Sequence, residues 1–236
     1  MLKTHTLVLS DLHLGSGVCS TEAVLKAITK IDYKRIIIAG DLYEKGSEIS
    51  WQNRAILEHL KTTQKEVVII KGNHDPSPKN HFWQGLPRPI KGFSWTAGNK
   101  KLCAMHGHQF DRFCFIFDER WVDKLFLAGI SFACRMQANI AGWIDGFHNG
   151  FSRHVIKRAV RYASKHGYDT VICGHTHKPA HLQINDPKHR KSVEYINTGC
   201  CVNGLCFAAT ISKDGRTELL SIPIEQQSQR QIIGFA

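Results

Sequence analysis

Gly72-Asn73-His74-Asp75 places an amide oxygen, an imidazole and a carboxylate in three consecutive positions behind a glycine. The Asn73 amide offers a neutral oxygen to a hard cation, and the His74 imidazole can give or take a proton near neutral pH. The adjacent Asp75 carboxylate is expected to hold that imidazole in one orientation. Alone, the tetrapeptide reads as an ordinary turn. Four other stretches carry the same chemistry: Asp11 with His13, Asp41, His106 with His108, and His175 with His177. The donors are Asp, Asn and His with no Cys, which favours divalent manganese, iron or zinc over a structural Cys-bound zinc. Asp11, His13, Asp41, Asn73, His106, His175 and His177 exceed what one tetrahedral ion requires. Two ions sharing Asp41 as a bridge account for the number, and a pair ~3.5–4 Å apart is a clamp for hydrolytic displacement at phosphorus.

Each cluster follows an apolar run that reads as a strand. Thr4 to Ser10 leads into Asp11-Leu12-His13, where the i, i+2 spacing puts both side chains on one side of an extended segment. Arg35 to Ala39 ends in Gly40-Asp41, and Val67 to Ile70 ends in the Asn73 turn. Lys101 to Met105 ends in His106-Gly107-His108, and Asp169 to Cys173 ends in Gly174-His175-Thr176-His177. In α/β sheets ligands gather at the carboxyl ends of strands, so all five clusters are expected at one edge. Between them, Ser20 to Ile31 and Glu48 to Thr62 carry apolar residues at helical spacing. Residues 76–98 read as irregular loop with one short strand. The chain turns all-β from Val193, with strands over 193–197, 205–212 and 217–223.

With 236 residues and ordinary hydrophobic content, the chain can build one large α/β domain or two small ones, and a single domain is expected. A formal charge of +11 points to anionic partners: phosphates, nucleic acid or an acidic membrane surface. No aromatic-interleaved basic strand of the sort that stacks bases stands out, so nucleic acid is not the expected partner. The eight cysteines form no Cys-x-x-Cys pair, and several sit in apolar runs. They are expected to be reduced core thiols of a cytoplasmic protein. No apolar stretch approaches the ~20 residues of a membrane-spanning helix.

Asp-x-His, Gly-Asp, Gly-Asn-His-Asp, His-Gly-His and Gly-His-x-His, in this order, resemble the calcineurin-like metallophosphoesterases. The resemblance implies an α/β fold, a sandwich of two mixed sheets flanked by helices. It assigns Asp11, His13, Asp41 and His177 to one metal, and Asp41, Asn73, His106 and His175 to the other. It makes His74 the catalytic acid or phosphate contact, with Asp75 as its orienting partner, and implies attack on phosphorus by a hydroxide between the metals. Ser10 to Gly15, Gly40 to Glu44 and Gly174 to Pro179 are similar to the branch containing UDP-2,3-diacylglucosamine pyrophosphohydrolases, enzymes of lipid A synthesis. That branch typically has Arg where His74 stands and Asp where His108 stands. Here His108 is expected to contact substrate.

Residues 112–166 form a helical insertion before the last histidine pair. Phe113 to Phe117 and Leu125 to Cys134 are very apolar, too short to span a bilayer but suited to a buried or interfacial helix. Arg153, Lys157, Arg161 and Lys165 recur every four residues along one slowly drifting helix face. One reading is a lid with an acyl-binding interior, in which Lys157 and Arg161 meet phosphate or the acidic face of the inner membrane. The other is a helical hairpin that packs its own core behind a solvated basic face. Three functions are compatible with these residues: a two-metal phosphohydrolase of a nucleotide-sugar or lipid-linked substrate, a metal-dependent nuclease or phosphodiesterase, and a non-catalytic scaffold.

Overall fold

A computed structural model describes residues 2–111, 141–204 and 206–222, with the side chains of 141–151 excepted. The chain runs β1 (Thr6–Leu9), α1 (Thr21–Lys30), β2 (Arg35–Ala39), α2 (Trp51–Thr62), β3 (Glu66–Ile70), β4 (Phe93–Ala97) and β5 (Lys100–Ala104). It continues through α3 (Ala141–Lys165), β6 (Thr170–Cys173), β7 (Ala180–Asp186), β8 (Lys191–Asn197), β9 (Phe207–Ile211) and β10 (Thr217–Ser221). Two five-stranded mixed sheets result, in the orders β10-β9-β1-β2-β3 and β4-β5-β6-β8-β7. Pairing is parallel through β1-β2-β3 in the first sheet and β5-β6-β8 in the second.

The period-two alternation of strand side chains explains how the layers stack. Val8 of β1, Ile37 and Ala39 of β2, Ile172 of β6 and Ile196 of β8 meet between the sheets. Their neighbours point the other way. Leu7, Leu9, Ile36 and Ile38 pack under the helices with Ala23, Val24, Ala27 and Ile28 of α1 and Ile56 and Leu60 of α2. On the far side Val171, Cys173, Val193 and Tyr195 receive Val155, Ala159 and Ala163 of α3. Helix, sheet, sheet and helix thus form four layers, the two-sheet α/β sandwich that the sequence led us to expect.

Local signals agree with these elements. The Ser50 hydroxyl accepts from the Asn53 N–H and caps α2, which begins three residues later than the apolar spacing suggested. Strand β7 was not foreseen. It is an edge strand whose side chains, except Asp186, are not buried, so it carries little hydrophobic alternation. The expectation of eight reduced thiols is corrected at one pair, because Cys201 and Cys206 are joined as a disulfide. Both are fully buried, and the Cys201 N–H donates to the Asp11 carbonyl at 3.2 Å. Of the insertion, α3 accounts for the second half. Its first half, the apolar runs included, lies outside the described residues, as does the tail from Gln226. No helix of the described residues is long and apolar enough to cross a membrane.

Candidate metal centre

The carboxyl ends of β1, β2 and β3 in one sheet and of β5 and β6 in the other face a common edge. Asp11 follows β1, Asp41 follows β2, Asn73 and His74 follow β3, His106 follows β5, and His175 and His177 follow β6. Sharp backbone reversals bring these side chains inward. Asp11, His13, Asp41, His175 and His177 all have positive φ, between 47° and 67°. That left-handed region is uncommon for any residue with a Cβ, though Asp, Asn and His enter it more readily than most. Strain of this kind gathers where function over-determines the backbone. Glycines make the close approach possible. A Cβ at Gly72 would lie 2.0 Å from Asp41 Oδ1, and one at Gly174 would lie 2.2 Å from Asp11 Oδ2.

His106 is fully buried. Its Nδ1 donates to the Ala39 carbonyl at 2.9 Å, which directs Nε2 into the site, where its lone pair serves a metal ion once its proton is lost. That Nε2 lies 3.0 Å from Asn73 Oδ1 and 3.1 Å from Asp41 Oδ2. On the other side, His13 Nε2 lies 3.2 Å from His177 Nε2, and Asp11 Oδ1 lies 3.1 Å from the same His177 nitrogen. Asp41 Oδ2 is also 3.9 Å from His13 Nε2, so this one carboxylate touches both groups. Lone pairs converge from several directions in each group, an arrangement that a cation stabilises. Among the described residues, Asp11, His13 and His177 form one cluster with metal-ligand spacing, and Asp11, Asp41 and His106 form another.

Electrostatics point the same way. Burial works to raise Asp41, but His106, His74 and His13 outweigh it and hold the carboxyl well below its ordinary range. Burial likewise opposes ionisation of Asp11, and His177 and His106 overcome it. His106 is the reverse case: burial would lower it, yet the charges of Asp41 and Asp11 push it up to about 9. Two ionised carboxylates with almost no access to water create a field that holds positive charge, whether proton or metal ion. The donor set, the acceptor geometry and this field all fit divalent cations.

Around the centre the structure adds residues that the sequence did not single out. Glu44 stands between two rings, with Oε2 3.0 Å from His13 Nδ1 and Oε1 3.0 Å from His74 Nδ1. Burial would raise its carboxyl, but these two bonds lower it to about 2. Such a carboxylate fixes the tautomer of a ligating imidazole and aims its other nitrogen. The orienting contact expected from Asp75 therefore falls to Glu44. Asp75 instead accepts from the backbone N–H groups of Asp41 and Tyr43 at 3.0 Å and of Gly72 at 2.8 Å. It ties the β2 turn to the β3 turn. Burial and the neighbouring Asp41 push its carboxyl up to about 6. Asp111, also buried, stands 3.0 Å from His175 Nε2. Glu44 lies three residues after Asp41, and Asp111 three after His108. Glu44 also closes the Gly40 to Glu44 stretch that carries the resemblance, whereas Asp111 had spacing alone.

The remaining expected site residues separate. The His108 ring sits 5.3 Å from that of His106 and 6.3 Å from that of His175, with Nδ1 buried and unbonded. Burial, then the charges of His106 and His175, bring it down to about 3. The His175 ring is 5.2 Å from His106. Lys157 and Arg161 are exposed on α3; Arg161 lines a groove against the turn after β5, and Lys157 does not.

A family model described as calcineurin-like phosphoesterase matches residues 4–179. No curated protein matches the chain. Among solved structures, a single-site variant of Vps29 from Entamoeba histolytica superposes with a TM-score of 0.51 at 16% identity, covering 93% of this chain and 99% of that one. A hypothetical protein from Pyrococcus horikoshii gives a TM-score of 0.51 at 11% identity, with 95% and 90% covered. At such identities the likeness extends to the fold alone.

Proposed function

Because the chain belongs to the calcineurin-like phosphoesterase family, we propose that it hydrolyses a phosphoester or phosphoanhydride bond with two divalent cations held at the edge of its sheets. The supporting observation is that six of the seven expected donor side chains, Asp11, His13, Asp41, Asn73, His106 and His177, meet in pairs at 3.0–3.2 Å, with the His175 ring 5.2 Å from that of His106. In the proposed assignment Asp11, His13, Asp41 and His177 hold one ion, and Asp41, Asn73, His106 and His175 the other. Manganese is the first candidate, with iron or zinc as alternatives. Bound there, two such ions supply Lewis-acid polarisation of phosphoryl oxygens and a hydroxide nucleophile at neutral pH.

The chain's own groups do the rest. His74, held at Nδ1 by Glu44, delivers a proton to the leaving oxygen from its other nitrogen. Glu44 also fixes the His13 ring, so one carboxylate aligns a metal ligand and the acid together. Asp75 locks the two turns that carry Asp41 and His74. For substrate we propose a nucleotide-sugar or lipid-linked phosphate compound of the UDP-2,3-diacylglucosamine type, in the cytoplasm or at the inner membrane face. The motifs at Ser10 to Gly15, Gly40 to Glu44 and Gly174 to Pro179 and the basic charge support that choice.

The deciding experiment measures phosphate and nucleoside monophosphate release from a substrate panel, with metal content from elemental analysis. Close to two ions per chain and manganese-dependent release are expected. His74→Ala should lower kcat by roughly 10²–10⁴ without loss of metal, and a leaving group of low pKa should partly rescue it. A manganese-loaded protein without bound metal, or with metal and no hydrolysis of any phosphate ester, would leave the scaffold reading in place of this one.

A further inference from the structure

Helix α3 and the short turn His108–Phe110 enclose an open groove of about 430 Å³ on the outer side of the second sheet. Arg158, Arg161 and Lys165 line it, and no carboxylate does. The spacing i, i+3, i+7 along one helix brings these three cations to the same face. Arg158 is fixed, because its Nη1 donates to the Phe110 carbonyl at 3.0 Å. Among the described residues no acid pairs with Arg158, Arg161 or Lys165. Three like charges on one wall repel, and an anion in the groove removes that repulsion. The wall is also aromatic. The Tyr162 ring lies 4.3 Å from that of His166 and 5.6 Å from that of Phe110.

We propose that this groove is a binding site for a nucleoside phosphate. The guanidinium groups suit a phosphate, since their paired N–H donors match two of its oxygens. The Tyr162–His166 wall suits the flat face of a base. A volume of about 430 Å³ falls within the range of small-molecule pockets. The same short segment serves groove and metal centre alternately: Met105, Gln109 and Phe110 line the groove, while His106 and Asp111 face the metal-binding side. In this proposal a substrate with its reacting phosphorus at the centre rests its non-reacting nucleotide in the groove. This last step rests on the hydrolytic reading above; binding itself does not.

Equilibrium dialysis of the full chain with uridine monophosphate, adenosine monophosphate and inorganic phosphate tests the site. It is done first on chelator-treated protein whose fold is confirmed by circular dichroism, then on manganese-loaded protein. Nucleotides should bind without metal, and tighter than inorganic phosphate by roughly tenfold or more. Arg161→Ala combined with Lys165→Ala should weaken nucleotide binding by roughly tenfold or more, and added salt should do the same in the wild type. Both residues are exposed, so the fold should survive. Equal affinity for phosphate and nucleotide would overturn the proposal, and so would unchanged nucleotide binding in the metal-free double variant. Sedimentation with phosphatidylglycerol vesicles through the same two residues, with no nucleotide bound, would also overturn it and assign the cations to a membrane surface. In turnover, the double variant should raise KM for a nucleotide pyrophosphate relative to that for a small aryl phosphodiester. A wild type that binds nucleotide yet hydrolyses neither compound sinks the hydrolytic reading and leaves the site standing.

Discussion

Glu44 does two jobs with one side chain. Each oxygen holds a different imidazole, so its loss should disturb a metal ligand and the proposed acid together. Glu44→Gln keeps the shape but cannot accept from both rings. Metal affinity or activity should fall by about 10–100-fold, which titration calorimetry with manganese and a kcat measurement would read separately. Unchanged affinity with a wild-type kcat would remove Glu44 from the machinery. At this scale the sequence was clear about donors and less clear about their partners. Asp, Asn and His after apolar runs announce themselves by type. Glu44 looks like any charged loop residue, because its role comes from where the His13 and His74 turns cross. Asp75 shows the converse: adjacency to His74 suggested a pair, but Asp75 turns its oxygens to the backbone of Asp41, Tyr43 and Gly72.

At the scale of elements, the strands decide everything about the centre except the distances. Strands β2, β3, β5 and β6 were each read from the sequence to within one residue, because three or four consecutive apolar positions leave few alternatives. Edge strand β7 escaped for the opposite reason, since few of its side chains enter the core. The turns after the strands were legible as polar clusters but not as left-handed backbone. Gly174 makes the point testable. Its φ is acceptable for alanine, yet a methyl group there would meet Asp11 Oδ2 at 2.2 Å and Ser10 Oγ at 2.3 Å. Gly174→Ala should therefore push Asp11 aside, lower metal occupancy and cost about 1–3 kcal/mol in stability through overpacking. Elemental analysis and thermal melting check both. A variant with full occupancy and an unchanged melting temperature would refute the close contact.

At the scale of the molecule, the two sheets are joined at both ends. Opposite the metal edge, Glu194 of β8 accepts from Thr170 of β6 at 2.8 Å, from Lys100 of β5 at 3.2 Å and from Thr217 of β10 in the other sheet. Burial would raise its carboxyl from 4.5, but Thr217, His181, Thr170 and Lys100 lower it to about 2. A depressed carboxyl stabilises the fold in its ionised form. That contribution should be complete above about pH 4.5 and lost progressively as pH falls through about 2. Glu194→Gln should remove it, costing about 1–3 kcal/mol at neutral pH and flattening the acid limb of a stability curve followed by urea unfolding. A variant whose acid limb matches the wild type would show that the latch is not coupled to folding. The metal edge has a different implication, in the order of events during synthesis. Its proposed donors run from Asp11 to His177, and the second sheet closes only when β8 lies between β6 and β7. A nascent chain that ends before His175 therefore holds every donor of the first sheet and still lacks the last histidine pair. Capture of both ions would therefore wait until the turn after β6 has met the turns of the first sheet, and bound metal would report that the two halves of the centre have come together.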